Sequence, residues 1–165
     1  MDRINQIYIH PIYVENLEAL LTDEANRIYC RHNMEHFLDV ARIMTIMAYD
    51  AGVNAGSDSQ LRELIYATAL LHDIGRHMQY SEGIPHDEAS VILATKIMTD
   101  CGFDEEEISS VCDAISAHRK PQSEVQGFLA LLLNTADKKS RQCYSCKARN
   151  TCKWSSDKMN MEIEI

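Results

Sequence analysis

The chain has 165 residues, 45% of them hydrophobic, and a formal net charge of −9. That size and composition fit one globular domain, able to bury roughly two thirds of its surface without a staple. The acidic balance argues against a general binder of nucleic acids or anionic membranes, and no apolar run reaches the ~18 residues of a membrane span. The opening MDRINQIYIHP has no basic region followed by an apolar run, so no signal peptide is expected and the cytoplasm is the expected location. There the six cysteines are expected to be thiols or metal ligands rather than disulfides.

Few residues favour strands, and apolar spacings of three to four dominate, which predicts an all-α protein. Pro11 suits the first turn of a helix over Ile12–Leu21, with Val14, Leu17, Leu20 and Leu21 facing inward. Asn33 is a candidate N-cap for a helix from Met34 to Asp50, its inner face carrying His36, Val40, Ile43 and Met47. Gly52 and Gly56 close that helix. Ser57 or Asp58 caps the next, which includes Leu61, Leu64, Ile65, Thr68 and His72 and ends at Gly75. Ser81–Pro85 is a loop, and Pro85 starts a helix over His86–Asp100 that Gly102 stops. Asp104 and Glu107 resemble a capping box for a helix running through Ile108, Val111, Ile115 and His118, with Pro121 soon after. The last long helix is expected over Ser123–Ser140, with Leu129, Leu133 and Asp137 on one face. The core therefore spans about residues 30–141, followed by a Cys-rich tail over 142–165, all in one domain.

The sharpest local feature is the stretch Ala67–Arg76, where an apolar run turns abruptly into His72-Asp73. His36 lies in the first turn of its helix, His86 opens one, and His118 and Asp137 end theirs. Helix ends are where side chains from several helices converge on one pocket. Singly, each is an ordinary polar residue at a helix terminus. Six together, each capable of binding a metal, point to one centre.

The segments RHNMEHFLDVAR, ALLHDIGR, IPHDEAS, AISAH and LLNTADKKSR, between Arg31 and Arg141, give the order H…HD…H…H…D. This resembles the HD-domain superfamily of metal-dependent phosphohydrolases. The resemblance implies an HD-domain helical bundle of five or more helices around a metal site. It implies one ion held by His36, His72, Asp73 and Asp137. The added histidines His86 and His118 match the two-metal subset, in which Asp73 would bridge both ions. One or two divalent transition-metal ions (Fe, Mn, Co, Ni or Zn) fit such mixed ligands. They would activate a hydroxide and neutralise phosphoryl charge.

His32 precedes His36 by four residues, and HNMEH resembles the HNxxH of cyclic-nucleotide phosphodiesterases, which implies a general acid at His32. The alternative is a surface histidine before an N-cap. Arg76, one turn beyond the HD pair, resembles the basic residue with which family members contact phosphate. Arg119 and Lys138 are further substrate-binding candidates, against a reading as solvated helix ends. His10 and His77 have no case beyond their type.

Cys143 and Cys146 form a C-x2-C, with Cys152 following and Cys30 as a candidate fourth ligand. A second metal site is expected there, either Zn with four thiolates or an Fe–S cluster, against free thiols in a mobile tail. Cys112 is expected in the core. The tail is locally basic, through Lys138, Lys139, Arg141, Lys147, Arg149, Lys153 and Lys158.

The function expected is hydrolysis of a phosphomonoester or phosphodiester, of a nucleotide or related small molecule, with Asp73, His32 and Arg76 as catalytic residues. The rivals are a di-iron HD oxygenase and a non-catalytic regulatory module that binds metal or nucleotide.

Overall fold

The computed structural model describes residues 1–163. They form eight α-helices: α1 Asp2–Ile9, α2 Pro11–Asp23, α3 Met34–Asp50, α4 Ser59–Leu71, α5 Arg76–Glu82, α6 His86–Asp100, α7 Glu105–Ala117 and α8 Phe128–Lys139. Among the described residues there is no strand, and no helix is long and apolar enough to cross a membrane.

Three helix starts follow from polar caps. The Asn33 side chain accepts the His36 N–H at 3.0 Å, and Asp58, rather than Ser57, accepts that of Leu61 at 3.0 Å. Asp104 accepts the Glu107 N–H at 2.9 Å while Glu107 accepts the Asp104 N–H at 3.0 Å, completing the capping box. Each cap satisfies donors that would otherwise lack an intrahelical partner.

The core lies between α3, α4, α7 and α8, with α6 packed on α7 and α5 on α6. Phe37, Met44, Ile65, Leu71, Ile115 and Leu133 are fully buried in it. Burying a side chain of that size contributes about 1.5–3 kcal/mol. α1 and α2 cover one side and add Ile4, Ile7, Tyr13 and Leu20 to the same cluster.

Four elements differ from expectation. α1 was not foreseen, because only Ile4 and Ile7 of its eight residues are buried. A charged residue anchors it instead: Arg3 donates to Glu63 at 2.8 Å and to Glu107 at 2.6 Å, and its guanidinium lies 4.0 Å from the Phe103 ring centre. In α2 the inner face is set by Tyr13 and Leu20, while Val14 and Leu21 are exposed. That helix is apolar on most sides, so spacing alone left its rotation open, and the larger aromatic takes the interior. α5 is an extra short helix before the Gly83 loop. α8 starts at Phe128 rather than Ser123, because a 3₁₀ turn over Gln122–Glu124 leads to Gly127 at φ +91°, a conformation suited to glycine.

Gly75 lies where α4 meets α5, and its requirement is space rather than φ. A Cβ there would sit 2.4 Å from the Ser90 backbone nitrogen and 2.6 Å from the Ala89 carbonyl carbon. The Gly75 N–H donates to Ser90 Oγ at 2.9 Å. The turn carrying His72-Asp73 is thereby pressed against α6, which begins with His86.

The tail folds back on α8 through 3₁₀ turns at Cys143–Ser145, Arg149–Thr151 and Ser156–Lys158. The Asn160 side-chain amide donates to the carbonyls of Lys138, Lys139 and Arg141 at 2.8, 3.1 and 2.9 Å. The Tyr29 hydroxyl donates to the Thr151 carbonyl at 2.9 Å.

Candidate metal centre

Five helices deliver their ends to one place. His36 comes from the first turn of α3, held there by the Asn33 cap. His72 caps the C-terminus of α4, with Asp73 next in the turn. His86 opens α6, His118 caps the C-terminus of α7, and Asp137 lies in the last turn of α8. Three C-termini bring negative dipole ends to the cluster and two N-termini bring positive ones, so the two carboxylates, more than the helix dipoles, favour a cation there.

The six side chains form two groups that share Asp73. One contains His36, His72, Asp73 and Asp137, the other Asp73, His86 and His118. In the first, His36 Nε2 approaches His72 Nε2 at 3.3 Å and Asp137 Oδ1 at 3.7 Å, and His72 Nε2 lies 3.5 Å from Asp73 Oδ2. In the second, His86 Nε2 and His118 Nε2 lie 3.2 and 3.8 Å from Asp73 Oδ1. The two oxygens of one carboxylate therefore face different groups. With metal–nitrogen and metal–oxygen bonds of about 2.0–2.2 Å, neighbouring ligand atoms around one ion sit about 3–3.5 Å apart. The donors fit metal ions without large movement.

Backbone and side-chain acceptors orient the imidazoles. His72 Nδ1 meets the Ala69 carbonyl at 2.8 Å, and His118 Nδ1 meets that of Ile115 at 2.6 Å. His86 Nδ1 meets Gln79 Oε1, and His36 Nδ1 lies 3.2 Å from Ser140 Oγ. An Nδ1–H donating outward leaves the Nε2 lone pair facing the centre.

Burial, then the neighbouring His72, pushes His36 down to about 4. Burial pushes His86 down to about 3 against the pull of Asp73, and lowers His118 as well. Burial would raise Asp73, but His72, Arg76, His32 and His118 outweigh it and hold the carboxyl well below the usual range. Asp137 is likewise held down, His72 first among the groups that overcome its burial. At neutral pH the set offers neutral imidazoles at His36, His86 and His118 beside ionised carboxylates, the forms that bind metal.

His32 adjoins the first group. Its Nε2 is 3.6 Å from Asp73 Oδ2, and its Nδ1 is 2.7 Å from Glu24 Oε1. Glu24 is buried, also accepts the His32 N–H at 2.8 Å and takes a 2.7 Å hydrogen bond from the Tyr80 hydroxyl. Burial pushes Glu24 up, but its bonds to His32 and Tyr80 hold it down at about 2. Arg76 reaches inward rather than into solvent. Its Nη2 lies 3.2 and 3.3 Å from the two Asp73 oxygens and 3.3 Å from His86 Nε2, while its Nε is buried without a protein partner. Arg119 is half-exposed and paired with Asp87 at 2.8 Å. Lys138 Nζ donates to Asn134 Oδ1 at 2.6 Å, and neither it nor Arg119 lines the cavity beside the ligands.

That cavity, of about 380 Å³, is bounded by His32, His36 and Asp137 on the metal side. Arg27, Arg76, Arg141 and Lys153 bring positive charge, and Tyr29 and Trp154 bring aromatic faces. Spacing did not single out Glu24, Gln79, Ser140, Arg27 or Trp154. Arg141 was noted only for the charge of the tail, yet it stands 3.5 Å from Asp137 and stacks over Trp154 at 4.5 Å.

The family model for the HD domain matches residues 33–142. The chain belongs to the HD domain family. The match takes in all six ligand candidates of this HD domain. An uncharacterized protein of Clostridium beijerinckii is 38% identical over 163 residues, covering 99% of both chains. A crystal structure described as a predicted HD superfamily hydrolase, from an uncultured Thermotogales bacterium, aligns at a TM-score of 0.64. It covers 93% of this chain and 82% of the other at 22% identity, which shows that the HD fold is shared.

Proposed function

We propose that this HD domain is a metal-dependent phosphohydrolase acting on a phosphomonoester or phosphodiester of a nucleotide or related small molecule. The observation that carries the reading is Asp73, with one carboxylate oxygen toward each of two ligand groups. His36, His72, Asp73 and Asp137 would hold one ion, and Asp73, His86 and His118 a second. When bound, such ions lower the pKa of water and neutralise charge on a phosphoryl group.

The chain's own residues account for the remaining tasks. Arg76 offers an unpartnered buried Nε, and an anionic oxygen would satisfy it. Arg27, Arg141 and Lys153 give the cavity a positive wall, which suits phosphate. The Trp154 and Tyr29 rings give the organic portion of the substrate apolar surface, and the cavity lies within the ordinary size range for small ligands. His32, held by Glu24, would deliver a proton to the leaving oxygen.

The test is metal analysis and turnover on a panel of nucleotide and sugar phosphoesters, with Mn, Fe(II), Co, Ni or Zn supplied. Asp73→Ala is expected to lose both bound metal and hydrolysis. Retention of either by that variant overturns the reading. Oxygen consumption coupled to C–C or C–P cleavage by the iron-loaded protein, without phosphate release, would establish the oxygenase alternative instead.

A further inference from the structure

Cys30, in the segment between α2 and α3, and Cys143, Cys146 and Cys152 of the tail are far apart in sequence, yet all four line one cavity of about 290 Å³. The convergence is selective. Cys101 sits at the end of α6, and Cys112 lies on α7 against Thr95 at 3.4 Å. All six are free thiols. We propose that Cys30, Cys143, Cys146 and Cys152 together ligate an iron–sulfur cluster that pins the tail to the rim of the histidine–aspartate centre.

Width favours a cluster over one ion. Around a single tetrahedral zinc, with bonds of about 2.3 Å, sulfurs sit roughly 3.8 Å apart. Among the described residues, the donor groups gathered within 4.8 Å of one another are the histidine–aspartate ones, and no three of these sulfurs are that close. Four thiolates around one cavity match the ligand number of a [4Fe–4S] cluster.

Charge favours it as well. Such a cluster with four thiolates is an anion, and in the lining of the same cavity Arg31, Arg141 and Arg149 outnumber Glu35 and Asp39. Two of the cysteine segments are tied by arginine: Arg27 Nε donates to the Cys30 carbonyl at 2.6 Å, and Arg149 Nη1 to that of Tyr144 at 3.3 Å.

The tail also needs a cross-link. From residue 142 to 163 only Cys143 is buried, and the described residues beyond α8 form no helix longer than a 3₁₀ turn. So little apolar burial does not offset the entropy of ordering such a segment, and metal ligation is a common substitute for a core. The same segment contributes Thr151, Cys152, Lys153 and Trp154 to the wall of the cavity beside the metal ligands. Removing the cluster is therefore expected to loosen that wall. This effect on turnover rests on the function proposed above, whereas the cluster itself does not.

The full chain would be isolated anaerobically, reconstituted with ferric iron, a thiol that reduces half of it, and sulfide, and assayed for acid-labile sulfide and visible charge-transfer absorption. The wild type is expected to hold about four sulfides per chain. Cys146→Ser and Cys152→Ser should fall to background, while Cys112→Ser and Asp73→Ala, which leave this cavity intact, should retain sulfide. Absence of labile sulfide from the wild type, stoichiometric zinc without sulfide, or full sulfide in both cysteine variants would overturn the proposal. If circular dichroism shows that those variants do not fold, iron-edge X-ray absorption of Asp73→Ala decides. Sulfur ligation upholds the cluster, and nitrogen and oxygen ligation alone rejects it.

Discussion

At the scale of single residues, the centre depends on what stands behind each imidazole. Gln79 accepts from His86 Nδ1 and so aims Nε2 at Asp73. Gln79→Ala is expected to weaken binding at the Asp73–His86–His118 group by about 10–100-fold, with the other group little changed, read by metal titration. Glu24 holds His32 by two contacts, so His32→Gln is expected to lower kcat by about 100-fold or more for esters with poor leaving groups. Esters with highly acidic leaving groups should be spared, and metal content should stay unchanged. An equal loss on both ester classes would remove His32 from the role of acid. The six candidate ligands were legible because each is a His or Asp at a helix terminus, in a recognisable order. Glu24 and Gln79 were not, because an ordinary Glu or Gln acquires its importance only from the imidazole it meets across the fold.

At the scale of elements, close approach and capping set the positions of the ligand-bearing helices. Gly75→Ala would drive a methyl into the backbone of Ala89 and Ser90. Overpacking of that kind costs about 1–3 kcal/mol. Because α6 must yield, His86 should move from Asp73, so thermal melting and metal stoichiometry should fall together. Arg3 and Glu107 join α1 to the start of α7. Glu107 is held at about 2 chiefly by the hydrogen bond from Arg3, against an ordinary value of 4.5. The unfolded chain therefore binds the proton more readily than the folded one. This contribution is present above about pH 4.5 and is lost as pH falls toward 2. Glu107→Gln is expected to cost about 1–3 kcal/mol at neutral pH and to flatten the acid limb of stability, measured by urea midpoints across that window. The capping box was visible in the sequence. Its partner Arg3 was not, since nothing local tells a residue near the N-terminus that it will meet α7.

For the whole molecule, the centre ties five helix ends together, so metal should act on global stability. Binding to the folded state alone raises stability by about 2.7 kcal/mol at a hundredfold excess over Kd. Wild type should show a rise in Tm on adding Mn(II), and Asp73→Ala should not. An equal shift in both would mean that the ion binds elsewhere. Acid should reverse the effect, because protons compete for His36 near 4 and His86 near 3.

The sequence by itself determined the all-helical class, most helix boundaries and the six candidate ligands, because periodicity, caps and metal-binding residue types are local properties of the chain. Only the tertiary structure decided that Asp73 turns one oxygen to each ligand group and that Tyr13, not Val14, faces inward in α2. It also set Glu24 behind His32, and brought Cys30 to the same cavity as three cysteines of the tail. Each of these depends on which surfaces meet when helices pack, and contacts between distant segments leave no mark in the spacing of either one.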